Sequence, residues 1–236
     1  MLIGIIPDIH NKAEEAQSIV DELKPLVERI VMLGDYVDDF DDDHRQFYQM
    51  LKKIGEWQRD PQIITLMGNH EASYMVREAR CKGWTHAKQE MWWMYADTFL
   101  DTRRLLACHH EGDVLFTHAG LAEGVDLAEQ VALVEGVRNG KWAAKLDYHP
   151  YDGGSNKGWS ILTGRFGYGY KRAVGQRQIH GHTPKPRVSP EYNNRLWQSI
   201  NFDTELACYG ILNLKNHVVE VYDSQLKTLV REIDDD

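Results

Sequence analysis

Cysteine is scarce in this chain. Cys81, Cys108 and Cys208 are widely spaced and odd in number. That is neither a disulfide framework nor a CxxC metal site, and it points to a reducing compartment. Long apolar runs are missing too, and none approaches the length that crosses a bilayer. No basic segment with a small-residue cleavage site precedes the opening MLIGIIPD, so the expected setting is cytoplasmic, without a membrane partner. Basic excess is the third absence: 27 Lys and Arg face 36 Asp and Glu, a formal charge of −9. Generic polyanion binding needs the opposite balance. This lowers, without removing, the case for a nucleic-acid substrate, and a phosphorylated substrate stays compatible if bound metals invert the local field. No internal repeat and no convincing linker divide the 236 residues, which fit one domain, 1–236.

What is present is an alternation of short apolar runs and longer helical patterns. LIGIIP (Leu2 to Pro7), RIVML (Arg29 to Leu33) and QIITLM (Gln62 to Met67) read as strands. Amphipathic helices are expected around Glu14 to Leu23 and Asp43 to Trp57. Strands separated by helices imply a parallel sheet built from right-handed crossovers. Gly83 to Leu100, rich in Trp, Met and Tyr, is expected as a helix with a buried face. Arg103 to Gly120 reads as a hairpin turning at EGD, and a helix is expected near Asp126 to Val137. Tyr151 to Arg172 is glycine-rich and reads as a long functional loop. LWQSINFD, ACYGILNL and HVVEVYD read as antiparallel strands, and the tail REIDDD as frayed.

The chemistry lies in short polar words at the ends of apolar runs. PDIH follows the first strand, GDYVD the second, GNHE the third; THAG and GHT follow later strands. Ligands in open α/β sheets sit beyond the carboxyl ends of strands, so these words converge on one edge. The second word opens a run of six aspartates, Asp35, Asp38, Asp39, Asp41, Asp42 and Asp43, whose mutual repulsion needs a cause.

In order and wording these motifs resemble the calcineurin-like metallophosphoesterase superfamily, closest to its phosphoprotein (Ser/Thr) phosphatase branch. The resemblance spans Asp8 to about Thr183 and more weakly reaches NFDTELACYGIL. It implies an α/β, four-layer metallophosphoesterase fold, a central two-sheet β-sandwich flanked by helices, with two divalent metals at its edge. By that resemblance Asp35 bridges the metals, Asp8 and His10 hold the first, and Asn69, His118 and His182 hold the second. Such a mixed oxygen and nitrogen set suits manganese, with iron or zinc as alternatives. Two cations about 3.5–4 Å apart clamp the attacking and leaving oxygens of an in-line displacement. A metal-held hydroxide then attacks phosphorus, and no serine or cysteine nucleophile is needed. His70 protonates the leaving oxygen, oriented by Asp38. Asn69 also faces the substrate phosphate. Glu71 is expected as a structural salt-bridge partner, and Asp41 to Asp43 as a solvated turn and helix start.

Two departures stand out. Pro184 in GHTP occupies the place of a further histidine that many superfamily members carry, and His180 is read as structural. Asp39 stands where phosphoprotein phosphatases carry an arginine that grips phosphate bidentately. Arg165 is the first replacement considered, then Lys157, Arg172 and Arg77. His44, His86, His109, His110, His149 and His217 match no motif. The expected function is phosphomonoester hydrolysis on a phosphoprotein or small phosphoester. A phosphodiesterase or dinucleoside polyphosphate hydrolase is the alternative, and a non-catalytic metal-binding module the remaining one.

Overall fold

The computed structural model describes residues 1–39, 43–76, 80–141, 160–165, 172–173 and 175–235. Its first half follows the expected alternation: β1 (Leu2–Ile6), α1 (Ala13–Leu23), β2 (Arg29–Met32), α2 (His44–Arg59), β3 (Ile63–Leu66), α3 (Asn69–Met75) and α4 (His86–Phe99). A 3-10 turn at Thr102–Arg104 leads into β4 (Leu105–Leu106), β5 (Cys108–Glu111) and β6 (Val114–Thr117). Then come α5 (Leu127–Arg138), β7 (Arg177–His180), β8 (Ser189–Asn193), β9 (Leu196–Asn201), β10 (Cys208–Asn213), β11 (Val218–Asp223) and β12 (Leu229–Ile233).

Two mixed sheets form, flanked by helices. One has the order β12-β11-β10-β1-β2-β3-β4, the other β5-β6-β7-β9-β8. Period-two alternation explains how the first sheet is covered on both faces. Ile3, Ile5, Val31 and Leu33 point to one side and join Phe116, Ile179, Trp197 and Ile200 between the sheets. Ile6, Ile30 and Met32 point to the other and pack with Ile19, Leu23, Phe47, Leu51 and Ile54 of α1 and α2. The aspartate run also gains a structural member. Asp43 caps α2 in a reciprocal box, its side chain accepting from Gln46 N while Gln46 accepts from Asp43 N.

Three features add to or differ from the expectation. β9 pairs antiparallel with β8, as expected, and also parallel with β7, because the chain reverses through β8. β8 itself has no clear signal in SPEYN, since a proline sits inside an edge strand where no ladder donor is required. The tail is not frayed: Arg231 to Ile233 pair with β11, and Ile233 is fully buried. Asp235 beyond it accepts from Trp197 N and from Arg177, which holds the end of the chain against the second sheet. Of the glycine-rich segment only 160–165 and 172 are described, so the expected functional loop lies largely outside the described residues.

Candidate metal centre

Parallel strands β1, β2 and β3 of one sheet and β6, β7 and β9 of the other end at the same edge. Asp8, Asp35, Asn69, His118, His182 and Asp203 each lie within three residues of one of those ends. The turns there are tight. His10, Asn11, Asp35, Asp38 and His182 all adopt left-handed backbone, with φ of 45°, 61°, 49°, 66° and 68°. Non-glycine residues enter this region at a cost, and such strain concentrates at functional sites. The glycines of GD, GN and GH are fixed by close approach. A Cβ on Gly34 would lie 2.7 Å from Gly68 N, one on Gly68 would lie 2.1 Å from Asp35 Oδ1, and one on Gly181 would lie 2.0 Å from Asp8 Oδ1.

The loops are lashed by hydrogen bonds. Ile9 N and His10 N both donate to Asp35 O at 2.9 Å. Glu71 is fully buried and accepts from the backbone N–H of Asp35, Tyr36, Val37 and Gly68 at 2.9–3.2 Å. The expected salt bridge is therefore a correction, since among the described residues this carboxylate gathers main-chain donors of two loops and no cation. That suits a carboxylate, which can accept several N–H groups at once.

Ligand-capable atoms of His10, Asp35 and His70 lie within 4.8 Å of one another, and so do those of Asp35, His118 and His182. Asp35 belongs to both groups. His118 Nδ1 faces Leu33 O at 2.9 Å, which assigns its proton there and turns Nε2 inward. Nε2 then meets Asn69 Oδ1 at 3.0 Å, His182 Nδ1 at 3.1 Å and Asp35 Oδ2 at 3.3 Å. Crowded lone pairs with so few protons fit a cation. Two further buried atoms, His182 Nε2 and Asp203 Oδ2, have no hydrogen-bond partner among the described residues. His10 Nδ1 is held by Asp38 O at 2.7 Å, leaving Nε2 available. Both Asp8 oxygens accept from His182 N, at 3.2 and 3.0 Å.

The electrostatics follow from burial and charge pairing. Burial opposes ionisation of Asp35, but His118 and His70 beside it hold its carboxyl well below the usual range. Burial and Asp203 push Asp8 well up. Burial depresses His118, yet Asp35 outweighs that and raises it to about 9. His182 is driven well down by burial, His118 adding to the effect. His180 is pushed down to about 4 by burial and bonds Ser199 Oγ at 3.1 Å, a neutral packed histidine as expected.

Beside this centre stands a second arrangement. His70 Nδ1 meets Asp38 Oδ2 at 3.0 Å, and burial of the ring is outweighed by Asp35 and Asp38, so its basicity rises. Asp38 Oδ1 accepts from Tyr74 Oη at 2.7 Å and from Lys88 Nζ at 2.9 Å. Cys81 Sγ lies 3.2 Å from His70 Nδ1. Tyr74, Cys81 and Lys88 match no motif word in the sequence. Asp203 lies in NFDTELACYGIL, where the resemblance is weak and assigns it no role.

A cavity of about 590 Å³ opens over both arrangements, lined by His10, Asp35, Asp38, Asn69, His70, His182 and Asp203. Asp39 and Arg165 also line it, with Lys12, Arg80 and Lys82. Arg172 is engaged with Glu191 at 3.3 Å and does not line this cavity. Arg77, Lys157 and His149 lie outside the described residues. His44, His86, His109, His110 and His217 do not line the cavity.

The fold and these residue groups define a metal-dependent phosphoester hydrolase. The family profile of calcineurin-like phosphoesterases matches residues 1–186, and the chain belongs to that family. None of the curated proteins is a match. Among solved structures the chain is similar to a cold-active protein-tyrosine phosphatase of a psychrophilic Shewanella species, at 16% identity and a TM-score of 0.63, covering 100% of this chain and 80% of that one. It is also similar to the phosphoesterase Yfce from E. coli, at 12% identity and a TM-score of 0.49, covering 100% of both chains. At 16% identity the likeness to the Shewanella phosphatase concerns the fold alone. No helix among the described residues is long and apolar enough to cross a membrane.

Proposed function

We propose that residues 1–236 form one catalytic domain, a cytoplasmic phosphomonoesterase acting on a phosphoprotein or small phosphoester. Its dinuclear centre uses Asp8, His10 and Asp35 on one side and Asp35, Asn69, His118 and His182 on the other. The observation that carries the reading is that two ligand-capable groups share Asp35. Unity of the domain is supported by β10, which pairs with β1 and completes the sheet begun at the N-terminus.

When bound, two divalent cations, manganese in the first instance, supply Lewis acidity and an activated water. The chain's own residues do the rest. Asn69 Oδ1 meets His118 Nε2 at 3.0 Å, and the residue lines the cavity where the phosphate would sit. His70 Nε2 is turned toward Asp35 Oδ2, 3.8 Å away, and carries the proton for the leaving oxygen. Asp38 fixes the ring by holding Nδ1. Arg165 on the cavity wall provides positive charge for the phosphate, and its charge is felt at His182.

One observation favours a second reading, as a phosphodiesterase or dinucleoside polyphosphate hydrolase. Asp39 lines the cavity and disfavours the second negative charge of a monoester. Hydrolysis of p-nitrophenyl phosphate and of its bis ester by the Mn²⁺-loaded protein decides. The monoester is expected to be preferred; a strong preference for the diester overturns the first reading, and no turnover of either leaves a metal-binding module.

A further inference from the structure

Lysine rarely lies fully buried unless it is paired. Lys88 is 3% exposed, on a helix whose sequence reads as aromatic packing. Its position follows from helix geometry. Thr85 caps α4 by accepting from Lys88 N, which places Lys88 in the first turn. Side chains there lean toward the helix N-terminus. Nζ accordingly reaches back to Gly83 O at 2.9 Å and to Asp38 Oδ1 at 2.9 Å. Gly83 permits the approach, since a Cβ there would lie 2.8 Å from Asp38 Cβ, and its φ is +88°.

The contacts divide the Asp38 carboxylate. Tyr74 Oη and Lys88 Nζ both donate to Oδ1, from α3 and α4, and Oδ2 faces His70 Nδ1 at 3.0 Å. A carboxylate held by one hydrogen bond can swing about its χ2; one clamped from two helices cannot. With Oδ1 engaged, the His70 ring is held by Oδ2 on Nδ1, which Cys81 Sγ also approaches at 3.2 Å; Nε2 lies 3.8 Å from Asp35 Oδ2, and the residue lines the cavity.

We propose that Lys88, assisted by Tyr74, is the positioning residue of the leaving-group acid, locking Asp38 so that His70 Nε2 is aimed at the departing oxygen. This rests on the phosphomonoesterase reading above. In the step concerned a water oxygen bonds to phosphorus as the phosphorus–oxygen ester bond breaks, the ester bond's electron pair goes to the leaving oxygen, and that oxygen takes the proton of His70 Nε2, which the proton released from the water restores. Lys88 touches no reacting atom. A fixed acid matters most when the leaving alcohol is aliphatic and weakly acidic, and little when it is p-nitrophenol, which leaves without a proton. The inference therefore assigns a substrate chemistry as well: an alkyl phosphoester.

The test is the ratio of kcat on β-glycerophosphate to kcat on p-nitrophenyl phosphate, measured on the full Mn²⁺-loaded chain with metal content determined alongside. Lys88→Met is expected to lower kcat on the alkyl ester by about 10-fold or more and to cost several-fold less on the aryl ester, with KM and bound metal unchanged. Tyr74→Phe, which removes the other donor to Oδ1 and no charge, is expected to act in the same direction if Lys88→Met fails to fold. In an Asp38→Asn background, Lys88→Met is expected to add nothing, because its effect runs through that carboxylate. Equal losses on both esters, no loss on either, or a further loss in the Asp38→Asn background overturns the inference. A wild-type protein that hydrolyses neither ester instead overturns the phosphomonoesterase reading itself.

Discussion

The two sides of the cavity floor differ in how many protons they hold. On one side His118, His182, Asn69 and Asp35 bring nitrogen and oxygen lone pairs to within 3.0–3.3 Å of His118 Nε2. On the other, Tyr74, Lys88 and His70 surround Asp38 with donors, and the negative charge is matched inside the protein. A proton-poor cluster is incomplete until a cation enters, whereas a proton-rich one is complete and suited to handing a proton on. The same residue types thus do two jobs because their neighbours differ.

The largest effect expected from this contrast is at Asp35, where two of the three ligand-capable groups meet. Asp35→Asn removes the shared charge and should reduce bound metal below that of the wild type by mass spectrometry. Activity should fall by at least about 10³-fold, because metal stabilisation worth several kcal/mol is lost. Full metal content in the variant would show that the proton-poor side does not depend on its bridge.

The two sides were not equally legible. The proton-poor side is written in short words at strand ends, because a turn that aims a ligand needs a fixed spacing from the strand. Asp8, Asp35, Asn69, His118 and His182 could therefore be read as a set, and the structure brings them together. Asp38 and His70 were legible as parts of the same words. Their supports were not: Lys88 reaches Asp38 from α4, 50 residues away, through a helix start that carries no special wording. Asp203 belongs to the same edge, but only the parallel direction of β9 reveals that, and strand direction depends on pairing rather than on local pattern. The fold divides likewise. β1, α1, β2, α2 and β3 follow from periodicity, while the edge strand β8 and the anchored tail depend on contacts far away in sequence.

Arg165 tests whether the cavity wall belongs functionally to either side. Its charge is felt at His182, one of the proposed metal ligands. A charge-assisted hydrogen bond to phosphate contributes about 1.5–3 kcal/mol. Arg165→Ala should therefore lower kcat/KM by about 10- to 100-fold, equally for alkyl and aryl esters, while metal content stays unchanged. Unaltered kinetics would remove Arg165 as the substitute for the arginine that Asp39 displaces.

The last effect expected is a pH dependence confined to the proton-poor side. His118 rises from 6.5 to about 9 because Asp35 outweighs the burial of its ring. In the metal-free chain its folded value lies above its unfolded one. The stabilising contribution is thus fully present below pH 6.5 and is lost as pH climbs through about 9. A cation bound at Nε2 must displace that proton, so metal affinity should rise by about tenfold per pH unit up to that value, then level off. Calorimetric titration of Mn²⁺ in two buffers of different ionisation enthalpy measures the proton released. The thermal midpoint of the metal-free protein should fall over the same interval and that of the Mn²⁺-loaded protein should not. His118→Asn should abolish the difference between the two, because it removes the group for which proton and metal compete. A pH-independent affinity in the wild type would mean that His118 is already deprotonated and that proton and metal do not compete there.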